Sequence, residues 1–317
     1  MRRSSWLQIV VIPFSFLAML ALVACEPLTP VPPSSAASAA DAMDTPEVAA
    51  AAENALVFTP PITGVSDFVA AREPASQFAS RLGQAAELPV RAFVPTDYGN
   101  ALLGIQEGEF DIVYLPAPFF VKAQAEMGVE PGFSVLVDGS PTETGLILVR
   151  ADNDIQSVAD LAGQRIAAAN LDSTAGWVAP AAALQAAGVN PLTDVDAHFT
   201  GSDVDSIHEL LAGEADAAFV RARALEDEAL LENTPDVAEQ VRTLAEFADM
   251  PIGIIAFAPE LEDEQVTAIQ AALSELGETD AAMLELYGWD GLAPADEIDL
   301  SAVQEAAQTL GLITAEQ

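Results

Sequence analysis

Short apolar runs suited to buried strands recur along this chain, each followed by a stretch with the i, i+3, i+4 spacing of a helix. Ala55-Leu-Val-Phe58 ends at Thr59-Pro-Pro61, and a helical pattern follows through Phe68, Phe78 and Leu82. Pro89–Val94 reads as a second strand, with Asp97-Tyr98 opening a helix whose apolar face is Leu102, Leu103 and Ile105. Phe110–Leu115 is a third strand, broken by Pro116-Ala-Pro118 before a helix to Met127. Phe133–Val137 and Leu146–Val149 add two more strands. From Ser157 the alternation restarts: a short helix to Gly163, a strand at Arg165–Ala169, a helix to Ala187, a strand at Ala197–Thr200, a helix at Val204–Leu211 and a strand at Ala215–Val220. Met250–Phe257 reads as a strand returning to the first set; Val266, Ile269, Leu273 and Leu276 form one helix face, and Leu300, Val303 and Leu310 a last, exposed helix. Strands alternating with helices predict an α/β architecture of parallel sheets flanked by helices. Two successive sets predict two lobes, residues 54–150 with 250–317 and residues 151–249, hinged near Ala151–Asp154 and Phe247–Pro251. Ligands in such folds bind at strand C-termini, here in the cleft between lobes.

The N-terminus has a different character. Arg2 and Arg3 precede an apolar stretch from Trp6 to Ala24 that ends in Leu22-Val-Ala-Cys25. A charged start, an apolar centre and a small-residue cleavage site make residues 1–24 a secretion signal. Leu22–Cys25 resembles a bacterial lipobox, in which the cysteine is lipidated, so Cys25 is the expected lipidation site. The stretch is also just long enough to span a membrane. Cys25 is the only cysteine, which excludes an intrachain disulfide. Residues 25–53 are rich in Pro, Ala and Ser with few large apolar side chains, the composition of a disordered tether. The expected location is a membrane surface facing the periplasm or cell exterior.

Charge narrows the partners. The chain has 11 basic and 49 acidic residues, a formal net charge of −38; without Arg2 and Arg3, 9 basic residues face 49 acidic ones, or −40. Such a surface repels nucleic acid and anionic lipid. A small anion remains possible, because a few aligned N–H groups outweigh distant screened charge. No nucleophile elbow, zinc-protease motif or phosphate loop is present, and His198 and His208 make no metal pattern, so neither an enzyme nor a metal or cofactor site is expected.

Asn170-Leu-Asp-Ser-Thr-Ala-Gly-Trp-Val-Ala-Pro180 follows the Arg165 strand and opens a helix on Ser173, Thr174 and Gly176. Small hydroxyl residues at a helix start hold polar or anionic oxygens well, although the same residues also serve as plain caps. Around it lies an ordered series of motifs. Gly108–Phe120 looks like the segment in phosphate/phosphite/phosphonate-binding proteins of ABC importers that ends the third strand and enters the cleft. Ser157-Val-Ala-Asp-Leu-Ala-Gly-Gln-Arg-Ile166 is similar to the family's opening of the second lobe. Ser173–Pro180 resembles its Ser-Thr-Ser-Gly loop, Gly188–Pro191 the following turn, and Gly201-Ser202 and Gly213–Phe219 continue the order. The similarity covers about residues 55 to 260. It implies a type II periplasmic-binding-protein fold, two lobes that close on a small solute, and an importer of two membrane subunits and two ATPases. By resemblance the body is monomeric. Such a fold also serves ligand sensors that signal to a receptor, and a few enzymes.

Four positions depart from the family. Glu143 stands where an aromatic Tyr is expected, Asp203 replaces the His after the Gly-Ser pair, Ala175 replaces the loop's third serine, and Leu115 the Gly before Pro116. An unpaired buried carboxylate beside a ligand oxyanion costs several kcal/mol, on the order of breaking a buried pair. Buried, Glu143 and Asp203 therefore favour a ligand with a positive group, such as an aminoalkyl phosphonate or another zwitterion; at the solvent rim they favour nothing. The candidate ligand residues are Ser173, Thr174, Ala175, Gly176, Trp177, Tyr98, Tyr114, Pro116, Glu143, Ser202, Asp203 and Thr63. Arg221, directly after a strand, can clamp an anion bidentately or form a surface ion pair, and the acidic neighbourhood favours the second.

Overall fold

The computed structural model describes residues 54–62, 68–280, 284 and 287–314. The expected signal, Cys25 and the tether lie outside them, as does Thr63.

β1 (Leu56–Thr59) is buried along its whole length, as a strand covered on both faces must be. α1 (Phe68–Ala86) carries the chain to the parallel strand β2 (Val90–Ala92), and Phe78 on that helix stacks on Phe58 with ring centroids 4.7 Å apart. α2 (Tyr98–Gln106) then leads to β3 (Ile112–Pro116), parallel to β1. Its N-cap Asp97 accepts a hydrogen bond from the Asn100 amide at 2.8 Å. α3 (Ala117–Met127) carries Pro118 in its first turn, where the missing N–H costs nothing. Next comes β4 (Glu130–Leu136). After the second lobe the chain returns as β10 (Gly253–Phe257), α8 (Asp263–Thr279) and β11 (Gly291–Pro294). Among the described residues the first sheet has the order β11-β4-β10-β3-β1-β2.

The second sheet has the order β7-β6-β8-β5-β9. It is built from β5 (Thr142–Arg150), β6 (Arg165–Ala168), β7 (Asp196–Phe199), β8 (Ala217–Arg221) and β9 (Val241–Pro251). α4 (Ala179–Ala186) and α5 (Asp203–Ala212) provide the crossovers that parallel pairing of β6 with β7 and β8 requires, and the short helices α6 (Glu228–Asn233) and α7 (Val237–Gln240) lead from β8 to β9.

Both sheets are mixed where mainly parallel ones were expected. β10 runs antiparallel to β3 and β4, and β5 antiparallel to β8 and β9. The strand at Leu146–Val149 belongs to the second sheet, because β5 pairs along its length with β8 and β9. The chain therefore crosses between sheets at residues 137–141 and again at Ile252, not at Ala151–Asp154. The two crossings touch: the Ile252 amide donates to the Pro141 carbonyl at 3.1 Å. The last helix, α9 (Ser301–Thr309), is not exposed as expected. Val303 joins the core of the first lobe and Ala306 that of the second, so one helix packs on both.

Candidate functional site

The turn that carries the Ser-Thr motif folds as a π-helix, Thr174–Val178, rather than an ordinary helix start. Ser173 caps it, its Oγ accepting from the Gly176 amide at 2.9 Å, and the Val178 amide reaches back five residues to the Ser173 carbonyl at 3.0 Å. Wide π turns recur at functional sites because they free backbone and side-chain groups that an α-helix would use. Here Thr174 Oγ1 is buried with no hydrogen-bond partner among the described residues. Ala175 is fully buried against Ala179 and Met250, and its carbonyl lies so close to β5 that a Cβ on Gly145 would sit 2.2 Å from it. Trp177 packs its ring against Phe199 and Phe219 at 5.0 and 5.9 Å. That ring anchors the turn in the second-lobe core and also lines a cavity of about 450 Å³ with Pro118, Phe119 and Asp172.

Beside the turn lies a group of four charged side chains. Ser202 caps α5, its Oγ accepting from the Asp205 amide at 3.2 Å, which holds Asp203 at the first helical position. A Cβ on Gly176 would be 3.7 Å from Asp203 Oδ1, so carboxylate and turn are neighbours. Asp203 is 6% exposed and meets Arg221 through Nε at 2.6 Å and Nη2 at 2.5 Å. This overturns two expectations. Arg221 forms an interior pair rather than a surface one, and Asp203 is neither at the rim nor unpaired, so it makes no demand for a cationic ligand. Burial opposes the Arg221 charge, but Asp203 and then Glu143 outweigh it and raise its pKa further.

Glu143, near the start of β5, keeps its side chain only 12% exposed, with Oε2 out of reach of solvent. Its only ion-pair partner among the described residues is Arg223, whose Nε is 3.9 Å away, beyond hydrogen-bond distance, and Oε2 has no hydrogen-bond partner. Burial pushes its carboxyl up, Arg221 and Arg223 pull it back, and Asp203 adds to the rise. Two cavities open on this group. One of about 550 Å³ is lined by Ser202, Asp203, Arg221 and Arg223, and one of about 220 Å³ by Thr142, Glu143, Arg221 and Arg223. The larger is of the size that small-molecule sites occupy.

The first lobe supplies phenols. Tyr98 is buried, accepts from the Ile62 amide at 3.0 Å, and lies 5.0 Å from the Phe119 ring. Tyr114, on β3, packs on Trp289 at 5.2 Å. Burial raises its pKa well above the usual phenol value, with further rises from Tyr98 and Glu143 and an opposing pull from Arg221. A phenol of one lobe thus feels the charges of the other. Gly253 leaves room for it: a Cβ there would fall 2.4 Å from the Tyr114 hydroxyl. Pro116 is buried at the end of β3, at the position just before α3. A second coupling crosses the cleft, since burial and then Asp97 raise the pKa of Asp172.

Sequence reasoning passed over Thr59, whose Oγ1 is buried at the C-terminal end of β1 with no partner among the described residues, and Arg223. A polar residue ending an apolar run of a parallel strand was the available signal for Thr59. His198 pairs with Glu209, and Lys122 with Glu126, on exposed surfaces.

This architecture is shared with known proteins. A binding-protein component of an ABC phosphonate transporter from Pseudomonas aeruginosa is 17% identical, with a TM-score of 0.58 over 80% of this chain and 85% of that one. PhnD1 from Prochlorococcus marinus, solved with methylphosphonate, is 17% identical, with a TM-score of 0.60 over 82% of this chain and 99% of that one. A Xanthomonas citri protein solved with ATP is 16% identical, with a TM-score of 0.65 over 81% and 97%. At these identities the likeness speaks to the two-lobed fold. Residues 68–300, most of the chain, match the family described as ABC transporter, phosphonate, periplasmic substrate-binding protein. The chain belongs to that family and is a solute-binding receptor of an ABC transporter.

Proposed function

We propose that this receptor captures a small oxyanion of the phosphonate class in the cleft between the π turn and Tyr98 and Tyr114. The observation that carries the reading is Thr174 Oγ1, a buried hydroxyl with no partner at the turn. A hydroxyl in that state costs about 1–3 kcal/mol unless something completes its hydrogen bonds. A ligand oxygen would do so, beside the Ser173 hydroxyl and the small residues Ala175 and Gly176. Tyr98, Tyr114 and Pro116 would close over it from the first lobe, with Ser202, Asp203 and Glu143 at the far side. A second reading rests on Glu143. Its unpartnered Oε2 would accept from a donor on the ligand, which favours a zwitterion such as an aminoalkyl phosphonate.

Closure is hinge bending at residues 137–141 and Ile252, driven by a ligand that touches both lobes at once. Secretion by residues 1–24, lipidation of Cys25 and a spacer over residues 26–53 would hold the body at the membrane, facing the periplasm or cell exterior. It would work as a monomer that delivers solute to permease and ATPase subunits, without chemistry of its own; a sensor role would use the same closure.

Thermal unfolding with methylphosphonate, inorganic phosphate and aminoethylphosphonate tests this. A ligand at 100 times its Kd stabilises by about 2.7 kcal/mol. Stabilisation by methylphosphonate supports the oxyanion reading, and by aminoethylphosphonate alone the zwitterion. No shift with any of the three would sink both.

A further inference from the structure

Arg221 is the side chain whose bonding leaves most undone. Asp203 Oδ2 takes its Nε and Nη2, while Oδ1 takes the Arg221 backbone amide at 3.3 Å. These contacts fix the plane of the guanidinium and occupy one edge of its fork. No hydrogen bond from the described residues reaches Nη1, and the side chain, 29% exposed, lines both the 550 and the 220 Å³ cavities. A guanidinium has five N–H donors, so a held but half-used one in a cavity is preorganised for an acceptor. Stability alone gives no reason to keep it, because a buried ion pair can usually be replaced by apolar side chains without loss. Position adds to the case. Asp203 lies against Gly176, so the cation sits next to the turn that carries the unpartnered Thr174 hydroxyl. Within the group Glu143 and Asp203 match Arg221 and Arg223 in number, so Asp203 alone does not use up the positive charge there.

We propose that Arg221 contacts the oxyanion of the solute through the free edge of its guanidinium, and that Asp203 is the positioning residue that aims it. The proposal rests on the oxyanion reading above and adds a recognition element that the Ser-Thr turn alone does not supply. The larger cavity is also lined by Asp138, Glu226 and Asp227, so an oriented fork is what an anion there would need against nearby like charge.

Calorimetric titration of the full-length protein in detergent with methylphosphonate, inorganic phosphate and aminoethylphosphonate, for wild type and the variants Arg221→Gln, Arg221→Lys and Asp203→Asn, tests it. Arg221→Gln is expected to weaken every probe that wild type binds by at least about tenfold, the scale of one charge-assisted hydrogen bond. Arg221→Lys restores only part, since an ammonium lacks the fork. Asp203→Asn leaves the guanidinium in place but loosens its aim, so affinity falls by about threefold, clearly less than in Arg221→Gln, and an unchanged affinity would remove the positioning role. A merely structural pair predicts equal losses for Arg221→Gln and Asp203→Asn, and that result overturns the proposal. Unchanged affinity in Arg221→Gln, or full affinity in Arg221→Lys should Arg221→Gln fail to fold, overturns it while leaving the oxyanion reading intact. Wild type binding none of the three probes removes both.

Discussion

Glu143 and Asp203 carry the same charge in neighbouring places, yet the fold treats them in opposite ways. Asp203 receives two guanidinium nitrogens, whereas Glu143 has Arg223 only at 3.9 Å. Burial raises the Glu143 pKa above 4.5, so the native state holds this proton more tightly than the unfolded chain. Its contribution to stability is full below pH 4.5 and is lost as pH rises through the folded value. Glu143→Gln is therefore expected to melt higher than wild type at pH 8, with the gap closing as pH falls toward 4.5, read by calorimetry across that range. Thr174→Val makes a different point. Its hydroxyl bonds to nothing among the described residues, so the near-isosteric change should leave the ligand-free melting point unchanged or slightly raised while weakening methylphosphonate about tenfold. The sequence marked Thr174, Glu143 and Asp203 as positions to watch. It left open which carboxylate is paired, because Asp203 and Arg221 lie 18 residues apart and meet only when α5 packs beside β8.

Among the elements, the π turn depends on a strand far away in sequence. A methyl group at residue 145 would fall 2.2 Å from the Ala175 carbonyl, with backbone on both sides, so neither can yield cheaply. Gly145→Ala is expected to cost about 1–3 kcal/mol, the scale of overpacking, and to weaken ligand binding because the turn itself must shift. Urea denaturation and titration of the same variant would check both. Sequence periodicity located most strands within a few residues, since their apolar runs are buried on both faces. It missed β11 and the greater part of β9, where Arg242, Glu246 and Asp249 interrupt the pattern on a strand that, among the described residues, pairs only with β5. For the same reason it read the sheets as parallel: pairing direction is set by which strands meet, and β9 and β10 return from the end of the second lobe.

For the whole molecule, the unexpected element is α9. Val303 is fully buried in the core of the first lobe, Ala306 is nearly so in that of the second, and the helix also touches the π turn. Val303→Ala should cost on the order of 2 kcal/mol, as emptying a buried aliphatic site does. Because the helix bridges both lobes, hydrogen exchange at residues 174–178 should quicken in the same variant; protection unchanged there would mean that α9 only covers surface. The sequence by itself determined the α/β class, the two sets of strands and the Ser-Thr turn, because apolar periodicity and turn chemistry are local. Only the tertiary structure decided where the lobes join, that the last helix spans them, and that Asp203 meets Arg221 closely while Glu143 has Arg223 only at 3.9 Å. Those features depend on contacts between residues distant in the chain, which burial and charge arrange only once the two sheets have packed.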